Sequence, residues 1–245
     1  MKIIIHIDCS ILTNAHYNTS SSERINKYYT GLLSLFKYMD FFTSNNIDLL
    51  LVDNTIDSLD EVPLIKNIIP PNVRIIVKRN NHYGKINKGA GCFEHWIMGK
   101  DIWKNYDYLI HFEGRQILIN NKFMEEFIKQ PISTFSWAHK KKSAPSGYFV
   151  KKDKKFDLNL FGIDNFHNKN SENNDYYTGI FAMDICFFRK FIEDMNLEIM
   201  CQKHTALEKA LMCFTYYNID NFRMVNKTYV WRGGDKNDYN SINQN

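Results

Sequence analysis

No run of about twenty apolar residues, the length of a membrane-spanning helix, occurs in this 245-residue chain. The apolar start at residues 1–6 is too short for a secretory leader, and Asp8 closes it. The cysteines Cys9, Cys92, Cys186, Cys201 and Cys213 contain no C-x-x-C pair and are odd in number. That argues against a disulfide framework or a structural zinc and for a reducing compartment. A strong charge of either sign is also missing: 31 basic against 27 acidic side chains leave +4, which is no nucleic-acid footprint. No G-x-G-x-x-G follows a strand and no Gly-Lys-Ser/Thr occurs, so the Rossmann fingerprint and the P-loop are excluded. There is no internal repeat and no clear linker. The expected setting is therefore cytoplasmic, with no membrane span and no nucleic-acid partner. One lysine-rich stretch (Lys140, Lys141, Lys142, Lys151, Lys152, Lys154, Lys155) reads as a solvated face, or as a patch for anions or peripheral membrane contact.

What is present is ordinary for a globular chain: 44% hydrophobic and 24% charged residues, enough for one α/β domain with a sizeable core. Aromatics reach 15%, which suits either core packing or binding of rings and sugars. Residues 2–8 read as a buried strand, Ile3, Ile4, Ile5 and Ile7 being interrupted only by His6. The loop 9–22 is polar and contains no glycine. A helix is expected from Ser22 to about Thr43, with Ser20, Ser21 or Ser22 as N-cap. Tyr28, Leu32, Leu35, Phe36 and Met39 fall on one face of it. Strands follow at 47–53, 73–78 and 108–112, a short helix lies between the first two, and helices are expected at 93–104 and 121–130. This alternation predicts a sheet that is mostly parallel in its N-terminal half, flanked by helices. Ligands of such sheets bind at the carboxyl ends of the strands. The polar strand ends Asp8, Asp53, Arg79-Asn80 and Glu113-Gly114-Arg115 are expected to gather along one edge. Farther on, strands are expected at 132–138, 147–150, 158–161, 176–183 and 224–231, and helices at 185–195 and 205–217. A polar tail begins at Gly233.

The most informative stretch is 106–118, an apolar strand that ends in Glu113-Gly114-Arg115 and then turns apolar again. A carboxylate and a guanidinium are costly at the end of a buried strand unless they bind something or pair with each other. The element order, together with five local matches, resembles the GT-A nucleotide-sugar glycosyltransferases over nearly the whole chain. The matches are 47–53 with Asn54-Thr55, Asn87-Lys88-Gly89-Ala90-Gly91, 106–118, Tyr177-Thr178-Gly179-Ile180-Phe181-Ala182, and Glu208. The resemblance implies a Rossmann-like mixed sheet in a single domain, with residues 1–120 binding the donor and 121–245 the acceptor. In that family Asp-x-Asp stands at the tip of the fourth strand and holds a divalent metal against the sugar diphosphate. Here the tip is Glu-x-Arg, which puts metal dependence in doubt.

Sugar transfer needs a cation or oriented donors for the leaving diphosphate and a base for the acceptor hydroxyl. The resemblance gives as donor-binding candidates Asp8, Asp53, Lys85, Asn87, Lys88, Gly89, His111, Glu113, Arg115 and Arg232. If Mn²⁺ or Mg²⁺ is used, Glu113 is the expected metal ligand; if not, Arg115 can pair with the diphosphate. The base is expected at Glu208, then Asp184 or Asp175, with His204 as another candidate; Arg115 completes the catalytic set. Trp137, Tyr177, Thr178 and Gly179 are the acceptor candidates. The implied partners are a nucleotide-diphosphate sugar and a glycan or lipid-linked acceptor, and the implied reaction is an inverting transfer. Two other readings stay open: a non-catalytic nucleotide-sugar or glycan binder on the same fold, and a nucleotidyltransferase. The glycine-free loop 9–22 counts against the latter.

Overall fold

The computed structural model describes residues 1–13, 21–137, 147–150, 176–225 and 230–232. Strands β1 (Ile3–Cys9), β2 (Ile47–Asp53), β3 (Arg74–Val77) and β4 (Tyr108–Glu113) are parallel neighbours in the order β3-β2-β1-β4. A short strand, β5 (Gln116–Leu118), follows β4, and β6 (Thr134–Trp137), β7 (Gly147–Val150), β8 (Tyr176–Asp184), β9 (Asn221–Val225) and β10 (Val230–Arg232) complete the set. The sheet continues from β4 through β8, β6, β9 and β7 to eight strands. β8 runs antiparallel to β4 and β6, β9 is parallel to β6, and β7 is antiparallel to β9. β5 and β10 form a separate antiparallel pair. The helices are α1 (Ser21–Phe36), α2 (Met39–Ser44), α3 (Pro63–Lys66), α4 (Lys88–Met98), α5 (Lys100–Trp103), α6 (Lys122–Lys129), α7 (Ile185–Asp194), α8 (Leu197–Gln202) and α9 (Leu207–Asn218).

β1 is buried along its whole length because helices cover both faces of the sheet. Successive strand residues face opposite ways. Ile3, Ile5 and Ile7 therefore join the core formed with Leu32 and Leu35 of α1 and Phe123 and Phe127 of α6. Ile4 joins the second core, with Phe93 and Trp96 of α4, Phe188 and Phe191 of α7 and Leu211 of α9. Each fully buried isoleucine is worth roughly 1.5–3 kcal/mol. The same alternation turns His6 and Asp8 toward the α4 side, and this places the polar cluster described below. The polar ends of β1, β2 and β4 gather on one edge as expected, in the registers Cys9↔Asp53 and Asp8↔Glu113.

Some elements differ from expectation. The first helix breaks after Phe36 and resumes at Met39, Tyr38 N–H reaching back to the Leu35 carbonyl at 3.1 Å. In one straight helix Phe36 and Phe42 would lie about 120° apart, and the break lets both be buried. The helix expected over 93–104 begins earlier, at Lys88, and divides at Gly99, where an added Cβ would lie 2.7 Å from His6 Nε2. The single strand expected over 224–231 is two strands in different sheets, β9 and β10. β5 and α8 were not expected. The candidate strand at 158–161, most of the lysine-rich stretch, Asp175 and the tail from Gly233 lie outside the described residues. Among the described residues, no helix is long and apolar enough to cross a membrane, and all five cysteines are free thiols.

Candidate functional site

A cleft of about 640 Å³ opens at the carboxyl ends of β1 and β4, bounded by α1, the start of α4 and the start of α9. It brings together Asp8, Asn87, Lys88, Gly89, His111, Glu113, Arg115, Thr178, His204 and Glu208 from the sequence candidates. It also takes in Ser10, Arg24, Lys27, Tyr28, His95 and Gln116, which the sequence reading did not propose as site residues.

The turn from β4 to β5 is locked from several sides. Arg115 Nε donates to Glu113 Oε1, and Gln116 Nε2 donates to Glu113 Oε2 at 2.7 Å. Tyr177 O–H in turn donates to Gln116 Oε1. Burial would raise the Glu113 pKa, but the Arg115 charge and the Gln116 amide hold it below the usual carboxylate range. Glu113 correspondingly raises the Arg115 pKa. The helix α1 lies directly on this turn: a Cβ on Gly31 would meet the Gly114 carbonyl oxygen at 2.3 Å and that of Gln116 at 2.7 Å. Ser34 Oγ fixes the same contact by accepting from Leu118 N–H at 2.8 Å. Arg24, Lys27, Tyr28 and Gly31 share one face of α1, by the i, i+3, i+4, i+7 rule. Seating Gly31 on the turn therefore carries Arg24 and Lys27 into the cleft beside Arg115.

The cleft wall holds an unusual cluster. Asp8 is 3% exposed. Its Oδ1 lies 2.6 Å from His6 Nδ1, and its Oδ2 faces His95 Nδ1 and His111 Nδ1, both at 3.6 Å. Asp8 Oδ2, His95 Nδ1 and His6 Nε2 are buried with no hydrogen-bond partner among the described residues. Buried polar atoms without partners are rare, and these three belong to one cluster. Burial works to raise the Asp8 pKa, but the nearby His111 and His6, the short His6 contact and the approach of His95 pull it well below the carboxylate range. For His95, burial opposes the charge, yet Asp8 outweighs it and raises the pKa. Burial lowers the pKa of His111. His111 Nδ1 accepts from Trp96 Nε1–H at 3.2 Å, which puts the proton of the neutral ring on Nε2.

Several candidates make contacts within the protein that shape the cleft. Asp53 is fully buried, with Oδ2 on Ile11 N–H at 2.8 Å and Oδ1 on the Thr55 N–H and O–H at 2.6 Å. It ties the ends of β1 and β2 together. Asn87 caps α4: its Oδ1 accepts from Gly89 and Ala90 N–H, while its Nδ2 donates to the Met200 and Thr205 carbonyls. The backbone donors that an anion would need at this helix start are thus engaged by Asn87. Gly89 is needed for close packing, since a Cβ there would meet Met200 Cε at 2.6 Å. Glu94 braces the preceding loop through Tyr83 and Gly84 N–H. Lys85 is exposed and outside the cleft lining.

On the α9 side, Thr178 Oγ1 donates to Glu208 Oε1 at 3.2 Å, so β8 and the first turn of α9 present a carboxylate to the cleft. Its neighbours Tyr177 and Gly179 are outside the lining, and Tyr177 is core. Asp184 is far from this edge: it pairs with Tyr108, at the amino end of β4, and caps α7 through Cys186 N–H at 2.8 Å. Residue 232 pairs with Gln116 in the β5–β10 ladder, next to the Glu113–Arg115 turn. The side chains of Arg232 and Trp137 lie outside the described part.

The divalent metal that the resemblance implies needs free hard-oxygen ligands, and the residues here do not fit it. Both Glu113 oxygens are engaged by Arg115 and Gln116, and one Asp8 oxygen by His6. The His111 nitrogen that faces Asp8 is taken by Trp96. Among the described residues no group of three His, Cys, Asp or Glu side chains could hold a metal ion.

No family model matches the sequence, and no curated protein matches it. Solved structures do share its fold. S. aureus TarS residues 1–349 superpose with a TM-score of 0.53 at 12% identity, covering 94% of this chain and 60% of that one. The same TarS fragment in complex with UDP gives 0.51 at 13% identity, again covering 94% and 60%. HddC from Yersinia pseudotuberculosis gives 0.50 at 14% identity, covering 98% of this chain and 97% of that one. The chain thus spans less than two thirds of the TarS fragment. At these identities the likeness is one of fold: a GT-A-like mixed sheet flanked by helices, as the sequence led us to expect. The fold alone fixes no reaction.

Proposed function

We propose that the chain is a glycosyltransferase that moves a sugar from a nucleotide-sugar donor to a hydroxyl of a glycan or glycolipid. The observation that carries this reading is the pairing of opposites across one cleft. Arg115, Arg24 and Lys27 line one side of it, and the Thr178-supported carboxylate of Glu208 lines the other. The cleft sits at the carboxyl ends of parallel strands, where open α/β sheets bind ligands. UDP in the TarS complex, a protein of the same fold, supports a nucleoside diphosphate as the donor's carrier.

The roles follow from the chemistry. The diphosphate leaves with the electron pair of the anomeric C–O bond, and cationic side chains stabilise that developing charge. The acceptor oxygen forms the new bond from the opposite side of the anomeric carbon, and its proton passes to Glu208. One in-line displacement of this kind inverts the anomeric centre. Thr178 occupies Glu208 Oε1, and no partner holds Oε2 among the described residues.

The test is Glu208→Gln, which keeps shape and the Thr178 contact but cannot take a proton. With UDP-sugars and an oligosaccharide acceptor, turnover should fall by about 10²- to 10⁴-fold while the affinity for UDP stays unchanged. Full turnover by this variant would remove Glu208 as the base.

A further inference from the structure

We propose that fixed side-chain cations, Arg24 and Lys27 of α1 together with Arg115 of the β4–β5 turn, hold the donor's diphosphate in place of a divalent metal ion, so that donor binding is independent of metal. This rests on the reading of the cleft as a donor site. The test below separates the two.

Three observations carry it. The first is the mismatch with a metal already described: the oxygens at the tip of β4 are spent on Arg115 and Gln116, and the position two residues after Glu113 bears a guanidinium. The second is how Arg115 is held. Glu113 engages its Nε, which leaves the two terminal nitrogens without a partner among the described residues, on a side chain that lines the cleft. A guanidinium anchored through one edge presents the other to an anion in a fixed geometry, which suits bidentate phosphate pairing.

The third observation is the seating of α1. Arg24 donates through Nε to the Ser10 carbonyl at 2.8 Å and through Nη2 to the Tyr28 hydroxyl at 3.4 Å, and its guanidinium carbon lies 5.4 Å from the Tyr28 ring centroid. Ser10 N–H donates to the same hydroxyl at 3.0 Å. The end of β1, Tyr28 and Arg24 are therefore one hydrogen-bonded unit. Burial raises the Tyr28 pKa, and the charges of Arg24 and Arg115 both oppose that rise. Lys27, one turn along the same face, is half-exposed and pairs with Glu23 at 2.9 Å. Of the carboxylates around this set, Glu113 holds Arg115 through Nε alone and Glu23 pairs with Lys27, Asp8 is surrounded by imidazoles, and Glu208 is held by Thr178 of β8. A fixed cationic cradle in a partly dry cleft does the electrostatic work of a bound cation without waiting for one.

The experiment is calorimetric titration of the full chain with UDP, GDP, dTDP, ADP and inorganic pyrophosphate, in EDTA and again with Mn²⁺ or Mg²⁺. We expect at least one nucleoside diphosphate to bind equally well, within about two-fold, with and without metal. Lys27→Ala should weaken that ligand about ten-fold or more, the loss of one charge-assisted contact. Lys66→Ala, which removes the same charge outside the cleft, should change nothing. Arg24→Lys and Arg115→Lys, read beside their thermal melting curves, separate lost phosphate contacts from lost folding. Binding that appears only with metal overturns this inference and leaves the donor-site reading standing. Metal-free binding that Lys27→Ala, Arg24→Lys and Arg115→Lys all leave unchanged also overturns it. Failure of every diphosphate to bind, with or without metal, overturns both.

Discussion

Asp8 keeps its charge in a nearly dry position because imidazoles surround it, and the three histidines divide the work unequally. His6 makes the short contact, the neighbouring Asp8 raises the pKa of His95 against its burial, and burial lowers that of His111. The pKa of His95 is raised above its ordinary 6.5, so its contribution to stability is complete below that value and is lost as the pH rises through the folded pKa. His111 is lowered from 6.5, so below that value protonation of the unfolded chain favours unfolding. The two trends oppose each other, and a bulk stability curve would blur them. Ring-resolved NMR titration separates them: His95 should titrate above 6.5 and His111 below it. A common midpoint for both would contradict the cluster as described. His111 shares a strand face with Glu113 by the two-residue alternation of β4, and both line the cleft. His95 carried no such signal, because its role depends on Asp8, which lies 87 positions earlier.

At the scale of elements, the site depends on how α1 meets the β4–β5 turn. Gly31 is the contact, and its neighbours are backbone oxygens of Gly114 and Gln116 that cannot swing away. Helix propensity alone would make Gly31→Ala stabilising by about 1 kcal/mol. The contact predicts the opposite sign, a loss of about 1–3 kcal/mol from overpacking, read as a lower urea midpoint. It also predicts weaker UDP binding, since Arg24 and Lys27 move with the helix. A variant more stable than the parent would show that the helix is not seated on the turn. Of the α1 face that carries Arg24, Lys27, Tyr28 and Gly31, only Tyr28 was legible in the sequence, on the stripe with Leu32, Leu35, Phe36 and Met39; the other three lie beside it by helical spacing and carried no signal of their own. What was not legible is that this face ends over the turn, because no local pattern encodes a long-range backbone contact. A second element-level prediction concerns Gly99, where a Cβ would press on His6 Nε2 at 2.7 Å and on a Leu50 methyl at 3.1 Å. Gly99→Val should lower the urea midpoint and shift the His6 ring resonances, and unchanged resonances would count against the packing of α4 and α5 on β1.

For the molecule as a whole, the alternation of apolar strands and amphipathic helices in the first half was enough to call a mostly parallel sheet and its ligand-binding edge. The second half was harder. Its strands are short, they pair with partners far away in sequence, and one apolar run is divided between two sheets, so period and propensity say little about their order. The same limit explains the misplaced candidates. Asp184 ends an apolar strand as Glu113 does, but β8 runs antiparallel to β4, which sends that end of the strand to the opposite edge of the sheet. Asp53 reaches the correct edge, yet it is spent on joining β1 to β2. We propose the cleft between α1, the β4–β5 turn and α9 as a nucleotide-sugar donor site. A crystal structure of the chain grown with UDP in EDTA tests it most directly. The account predicts the diphosphate within hydrogen-bonding distance of Arg115 and Arg24, with Glu208 across the open space beyond it. A nucleotide bound at the opposite edge of the sheet, near Asp184, would contradict it.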